Sequence, residues 1–177
     1  MKGFVTGLVL GVLLVPVAGY LYFRSGNAPV ATSAPPLPME RMLAQTALHA
    51  ALGKEAPKTF HIKVDDAVLA AGARIYRANC AMCHGLPDQP APAAAKGMFP
   101  PAPQLFEPDE MVTDDPPGVT FWKAKNGIRL TGMPGFHASL SDAQLWQVSV
   151  LLAGADKLPP AAQQVLASPP PDWNAPK

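Results

Sequence analysis

Residues 79–85 read NCAMCHG, and Cys80 and Cys83 within it are the chain's two cysteines. Three chemistries use thiols this close: a redox disulfide, a zinc site and a covalently attached haem. A structural zinc site wants four ligands. Cys80, Cys83 and His84 offer three, no second C-x-x-C exists, and His49, His61 and His137 are isolated along the chain. A thioredoxin-like pair opens a helix that follows a strand, where the helix N-terminus lowers the thiol pKa. Here the cysteines close a helix instead. The run DDAVLAAGARIYRANC (65–80) spaces Leu69, Gly72, Tyr76 and Cys80 at steps of three and four, with Asp65 or Asp66 as N-cap. C-x-x-C-H in an exported chain fits the third chemistry. Each thiolate adds to one vinyl group, and a histidine directly behind meets the ring so held. Cys80 and Cys83 are therefore expected to attach haem, with His84 as the proximal iron ligand.

A sixth ligand is expected downstream, in FWKAKNGIRLTGMPGF (121–136). The Met133 thioether suits low-spin haem iron, and Pro134 stiffens the loop that carries it. Met82 lies between the cysteines and cannot turn to the opposite face of the ring. Met98 and Met111 are weaker rivals, and Gly97-Met98-Phe99 reads as a wall lining the haem. A short helix should precede Met133, with Asp115 as cap, Pro116 and Pro117 in its first turn, Trp122 facing inward and Gly127 as its stop. A longer helix should follow. Ser141 and Gln144 form a capping box, Leu140 and Leu145 a staple, and Leu145, Val148, Leu151 and Leu152 an apolar stripe ending at Gly154.

The N-terminus carries no charge from Gly3 to Phe23. As a helix this run is roughly 31 Å long at ~1.5 Å per residue, close to the ~30 Å hydrocarbon core. It exceeds the apolar core of a cleaved signal peptide, about 7–15 residues. An uncleaved signal-anchor over 1–24 is expected ahead of a cleaved signal, with Lys2 cytoplasmic, Tyr20 and Tyr22 at the interface and the rest exported either way. Gly3, Gly7 and Gly11 recur every fourth residue, a spacing that can pack two membrane helices together, and read first as glycines tolerated in a lipid-facing helix. A Pro/Ala-rich linker at 25–38 follows, then an accessory amphipathic helix at 39–60 expected to pack on the haem domain at 61–157. A Pro-rich tail closes the chain at 158–177. Prolines number 22 in 177 residues, and their clusters mark linker, wrap and tail. The net charge of +1 makes no case for nucleic acid.

In this order the segments resemble class I c-type cytochromes, of the monohaem, membrane-anchored bacterial kind, over about residues 62–157. The resemblance implies a mostly α fold around one covalent haem c, with Gly72 and Tyr76 meeting the C-terminal helix. It implies a one-electron carrier, or a cytochrome subunit of a respiratory or dehydrogenase complex, rather than an enzyme in its own right. Its site residues would be Cys80, Cys83, His84 and Met133, the last two on iron. The expected partners are the membrane and a redox protein: a terminal oxidase, a quinol-oxidising complex or a periplasmic dehydrogenase. Lys123, Lys125 and Arg129 either steer an acidic partner or form a solvated helix face. The haem domain would lie on the periplasmic side of the inner membrane. The alternative from another class is a haem enzyme or gas sensor with a labile or absent methionine ligand, for which His137 lies close enough in sequence to serve. A structural protein with a dispensable haem is a third.

Overall fold

A computed structural model describes residues 2–60 and 62–169. Among these residues there are eight α-helices and no strand, as the mostly α expectation required. The chain divides into two units at Glu40/Arg41.

In the first unit, α1 (Lys2–Arg24) is one helix whose span from Gly3 is long and apolar enough to cross a membrane. Pro16 lies inside it, a residue that membrane helices accommodate. Nothing approaches the Cβ positions of Gly3, Gly7 or Gly11. The Ser25 hydroxyl caps the Tyr22 carbonyl at 2.7 Å, and Ala34 N–H donates to the Ala31 carbonyl at 3.0 Å, so the segment turns.

The second unit is built on α3 (Asp66–Asn79) and α7 (Asp142–Ala153). Asp65 is the N-cap of α3, its carboxylate accepting from Val68 N–H at 3.0 Å. The Ser141/Gln144 capping box at α7 is complete. The two helices cross at Gly72. A Cβ there would run into the Gln147 carbonyl and come within 3.1 Å of Leu151 Cβ, so only glycine allows this approach. Around the crossing, Ala73, Tyr76, Val148, Leu151 and Leu152 form the core with Leu86 and Leu105.

α6 (Pro117–Asn126) packs on α7 through Phe121, Ala124 and Leu145. Asp115 does not cap it. The helix starts on Pro117, whose missing N–H removes one orphan donor, and the Asp115 carboxylate pairs with Lys123 Nζ at 3.4 Å. Nor does Trp122 face inward. Phe121 takes that place and stacks on Trp146 at 4.2 Å, whereas half-buried Trp122 donates from Nε1 to the Glu55 carboxylate at 3.2 Å.

That last bond belongs to the accessory helix α2 (Glu40–Glu55), whose final residue reaches α6, and the segment just after it meets α6 and α7. Leu52 is buried, the Pro57 carbonyl occupies the space a Gly118 side chain would need, and Phe60 tilts over Trp146 at 5.6 Å. Met42 and Leu43, nearer its start, stay exposed. His49 lies exposed on the same helix, and His61 lies outside the described residues.

The expectation of a tail from residue 158 is corrected. Residues Pro160–Ala167 form α8, which lies on α3 with Ala162 and Leu166 buried alongside Leu158. Pro159 and Pro160 begin this helix rather than forbid it, because proline suits the first helical position and the apolar pair at i and i+4 then faces the core. Residues 170–177 of the expected tail lie outside the described residues.

Candidate functional site

The C-x-x-C-H residues sit on a single turn. α3 ends at Cys80, whose N–H still donates to the Tyr76 carbonyl at 2.8 Å. The chain continues at once into α4 (Ala81–His84), with Cys83 and His84 N–H groups both on the Cys80 carbonyl at 3.0 and 2.9 Å. Gly85 ends the turn at φ +70°, a left-handed conformation that favours glycine. One backbone oxygen thus gathers both thiols and the imidazole.

Three groups hold this turn, and none was predicted from the sequence. The hydroxyl of fully buried Tyr76 donates to the carbonyls of His84 and Gly85, at 3.0 and 2.8 Å, sharing one proton between them. Gln104 Nε2 donates to the Cys83 carbonyl at 3.2 Å and the Ala102 carbonyl at 2.9 Å. The Pro103 carbonyl lies 2.8 Å from His84 Nδ1. A carbonyl only accepts, so Nδ1 carries the proton and the Nε2 lone pair is left available to a metal. Burial lowers the His84 pKa, partly offset by that hydrogen bond, and favours the neutral ring that can ligate.

The thiols do not have the shift of a pair poised for redox exchange. Cys80 and Cys83 are unbridged. Burial, with a smaller push from Cys83, raises the Cys80 thiol to about 12, and burial also raises Cys83. A dithiol poised for exchange would be shifted the other way. Zinc fares no better: among the described residues no group of three His, Cys, Asp or Glu side chains could hold a metal ion. Two thiols and a neutral imidazole with Nε2 available on one turn suit the attachment and proximal ligation of a c-type haem.

The thioether expected from the sequence, Met133, lies on the loop between α6 and α7. Gly127 leaves α6 at φ +70°, and Ile128 N–H donates to the Met133 carbonyl at 3.2 Å, closing the loop on itself. The Thr131 hydroxyl donates to the Ile128 carbonyl at 2.7 Å and accepts from Met133 N–H at 3.1 Å. Past the methionine, Phe136 and His137 N–H groups bond back to the Ala124 and Lys125 carbonyls. Gly127 and Gly135 are confined: a Cβ at Gly127 would lie 2.6 Å from Gly135 N, and one at Gly135 2.8 Å from the Asn126 carbonyl. Half-buried Met133 therefore rides on a loop anchored to the end of α6. Met98 belongs to the wrap that follows α5 (Ala93–Gly97), and its side chain lies against Gly132. His137 is exposed, with Nδ1 3.3 Å from the Lys125 carbonyl.

Residues 67–152 match the protein family described as cytochrome C oxidase, cbb3-type, subunit III. Comparison with curated proteins and with solved structures returns no match.

Proposed function

The chain carries a c-type cytochrome domain over residues 67–152, and from that premise we propose that it is a membrane-tethered one-electron carrier binding a single haem c between His84 and Met133. The hydrogen bond from His84 Nδ1 to the Pro103 carbonyl carries this reading, because it presents Nε2 as a ligand beside the two attachment thiols. When bound, haem c supplies a ferric/ferrous couple. His84 and Met133 would hold it, and the chain's part is to keep those two side chains in place. Cys80 and Cys83 fix the ring, and Tyr76 and Gln104 brace the turn that bears them. Thr131 and the Ile128–Met133 clamp shape the backbone of the loop that carries Met133. With His84 and Met133 both so held, the chain would need little rearrangement on electron transfer and would leave no open ligand position for a substrate.

The N-terminal span supports attachment to the inner membrane by α1, with Lys2 cytoplasmic and the haem domain periplasmic. The matched family's description names an oxidase subunit, which supports a terminal oxidase among the candidate partners and a fixed subunit of such a complex as the form the carrier takes. The idea of a steering patch narrows. Lys123 pairs with Asp115 and Lys125 with Asp142 at 2.8 Å, leaving exposed Arg129 without an ion pair among the described residues. A distal-histidine enzyme draws no support from His137, which faces the end of α6.

The test uses the full chain produced with haem maturation and purified in detergent. Its intact mass should include one haem that survives denaturation. The ferric protein should show the thioether-to-iron charge-transfer band, and the ferrous protein should bind carbon monoxide slowly. Met133→Ala should abolish the band and open the iron to carbon monoxide. A wild-type protein that binds carbon monoxide rapidly and lacks the band would make it an enzyme or sensor instead.

A further inference from the structure

Two contacts of the wrap touch the carriers of both axial ligands. At one end the Pro103 carbonyl holds His84 Nδ1 at 2.8 Å. At the other, Met98 lies over Gly132, the residue before Met133. A Cβ built on Gly132 would sit 2.8 Å from Met98 Sδ, 3.1 Å from Cε and 3.2 Å from Cγ, so the end of the side chain lies flat on that backbone. Between these contacts run Phe99, Pro100, Pro101 and Ala102. With Pro103 the segment holds three prolines, whose rings fix φ, so it is stiff. Beyond Pro103 it is tied down by Gln104, whose N–H meets the Glu110 carboxylate and whose side chain reaches Cys83, and by buried Leu105. The methionine loop's own hydrogen bonds run within it and to the end of α6. Gly132, Pro134 and Gly135 on it are exposed.

We propose that Met98–Pro103 is a strap coupling the two axial-ligand carriers, with Met98 the positioning residue that holds the methionine loop closed. It rests on the His84/Met133 reading. Packing does the work: the thioether of Met98 fills the face that Gly132 leaves bare, and the strap refers that contact to the imidazole. Removing the side chain leaves the loop clamped to α6 but free to lift from the iron.

The experiment compares wild type, Met98→Ala, Met98→Leu, Gly132→Ala and the Met98→Ala/Gly132→Ala pair as full-length holoproteins in detergent. The readouts are carbon monoxide association with the ferrous form, which waits on loop opening, and persistence of the thioether-to-iron band on warming. Met98→Ala should speed association about tenfold, equivalent to about 1.4 kcal/mol of loop closure, and lose the band at a lower temperature. Met98→Leu, which restores volume without sulfur, should stay within about twofold of wild type. Gly132→Ala should also speed association, and the pair should lie nearer wild type than either single change, because the added methyl takes the vacated space. Wild-type kinetics in Met98→Ala, a Met98→Leu that behaves like Met98→Ala, or additive effects in the pair would each overturn the strap and leave the ligation reading intact. Rapid carbon monoxide binding by wild type, with no band, would instead remove the ligand that the strap is proposed to hold.

Discussion

Replacing Gly72 with alanine tests the helix crossing on which the domain is built. The added methyl would meet the Gln147 carbonyl group, with its carbon at 2.8 Å, and Leu151 Cβ at 3.1 Å. Ordinary carbon contacts lie at about 3.5–4.0 Å, so α3 and α7 must part by roughly 0.5–1 Å. A gap of that size forfeits about a quarter to a half of each contact's attraction. Tyr76, Val148 and Leu151 are essentially fully buried at this crossing. At a mid-range value of about 2.2 kcal/mol per buried side chain and a loss of about three-eighths, the three together forfeit about 2.5 kcal/mol. Alanine returns about 1 kcal/mol of helix propensity. The net cost is about 1–2 kcal/mol. With a urea slope of about 2 kcal/mol per molar, the midpoint of the full-length holoprotein, followed by tryptophan fluorescence, should fall by roughly 0.5–1 M. Gly53→Ala is the control: it is helical too, and nothing lies within 4 Å of its Cβ position, so its midpoint should hold or rise. If Gly72→Ala matched Gly53→Ala, the close crossing would not be a source of stability and the reasoning would fail.

Tyr76→Phe removes the hydroxyl shared by the His84 and Gly85 carbonyls while keeping the ring edge-on to Phe106. It should cost about 1–2 kcal/mol in urea unfolding, since two buried acceptors lose their donor; an unchanged midpoint would mean the turn needs no such brace. Leu166→Ala tests whether α8 belongs to the domain. Leu166 is 1% exposed, so its truncation should cost about 2–5 kcal/mol, and a midpoint within error of wild type would make α8 a dispensable appendage.

What could be read from the chain alone was whatever is decided within a few residues. Covalent haem attachment needs two thiols and an imidazole at fixed short spacing, so C-x-x-C-H stands out wherever it is folded. The capping box at Ser141 and the Asp65 cap are likewise bonds across three residues, and a span uncharged from Gly3 to Phe23 declares its length directly. Gly72 and Tyr76 were legible as a spacing, though only the fold shows that the Gln147 carbonyl fills the space beside the glycine.

Tertiary structure decided what depends on groups far apart in sequence. The Pro103 carbonyl on His84 and the Met98 side chain on Gly132 arise because the wrap doubles back, and no local pattern records where it returns. Trp122 and Phe121 are neighbours with similar propensities, and the position of Trp146 and Glu55 settled which one turned inward. Helix α8 was hidden for a related reason. Its flanking prolines read locally as breakers, and the apolar pair Ala162 and Leu166 is too short a stripe to declare a helix until α3 supplies the surface on which to bury it. Bond chemistry and short-range capping are written in consecutive residues, whereas burial is a property of the partner, and the partner is chosen only when the chain closes on itself.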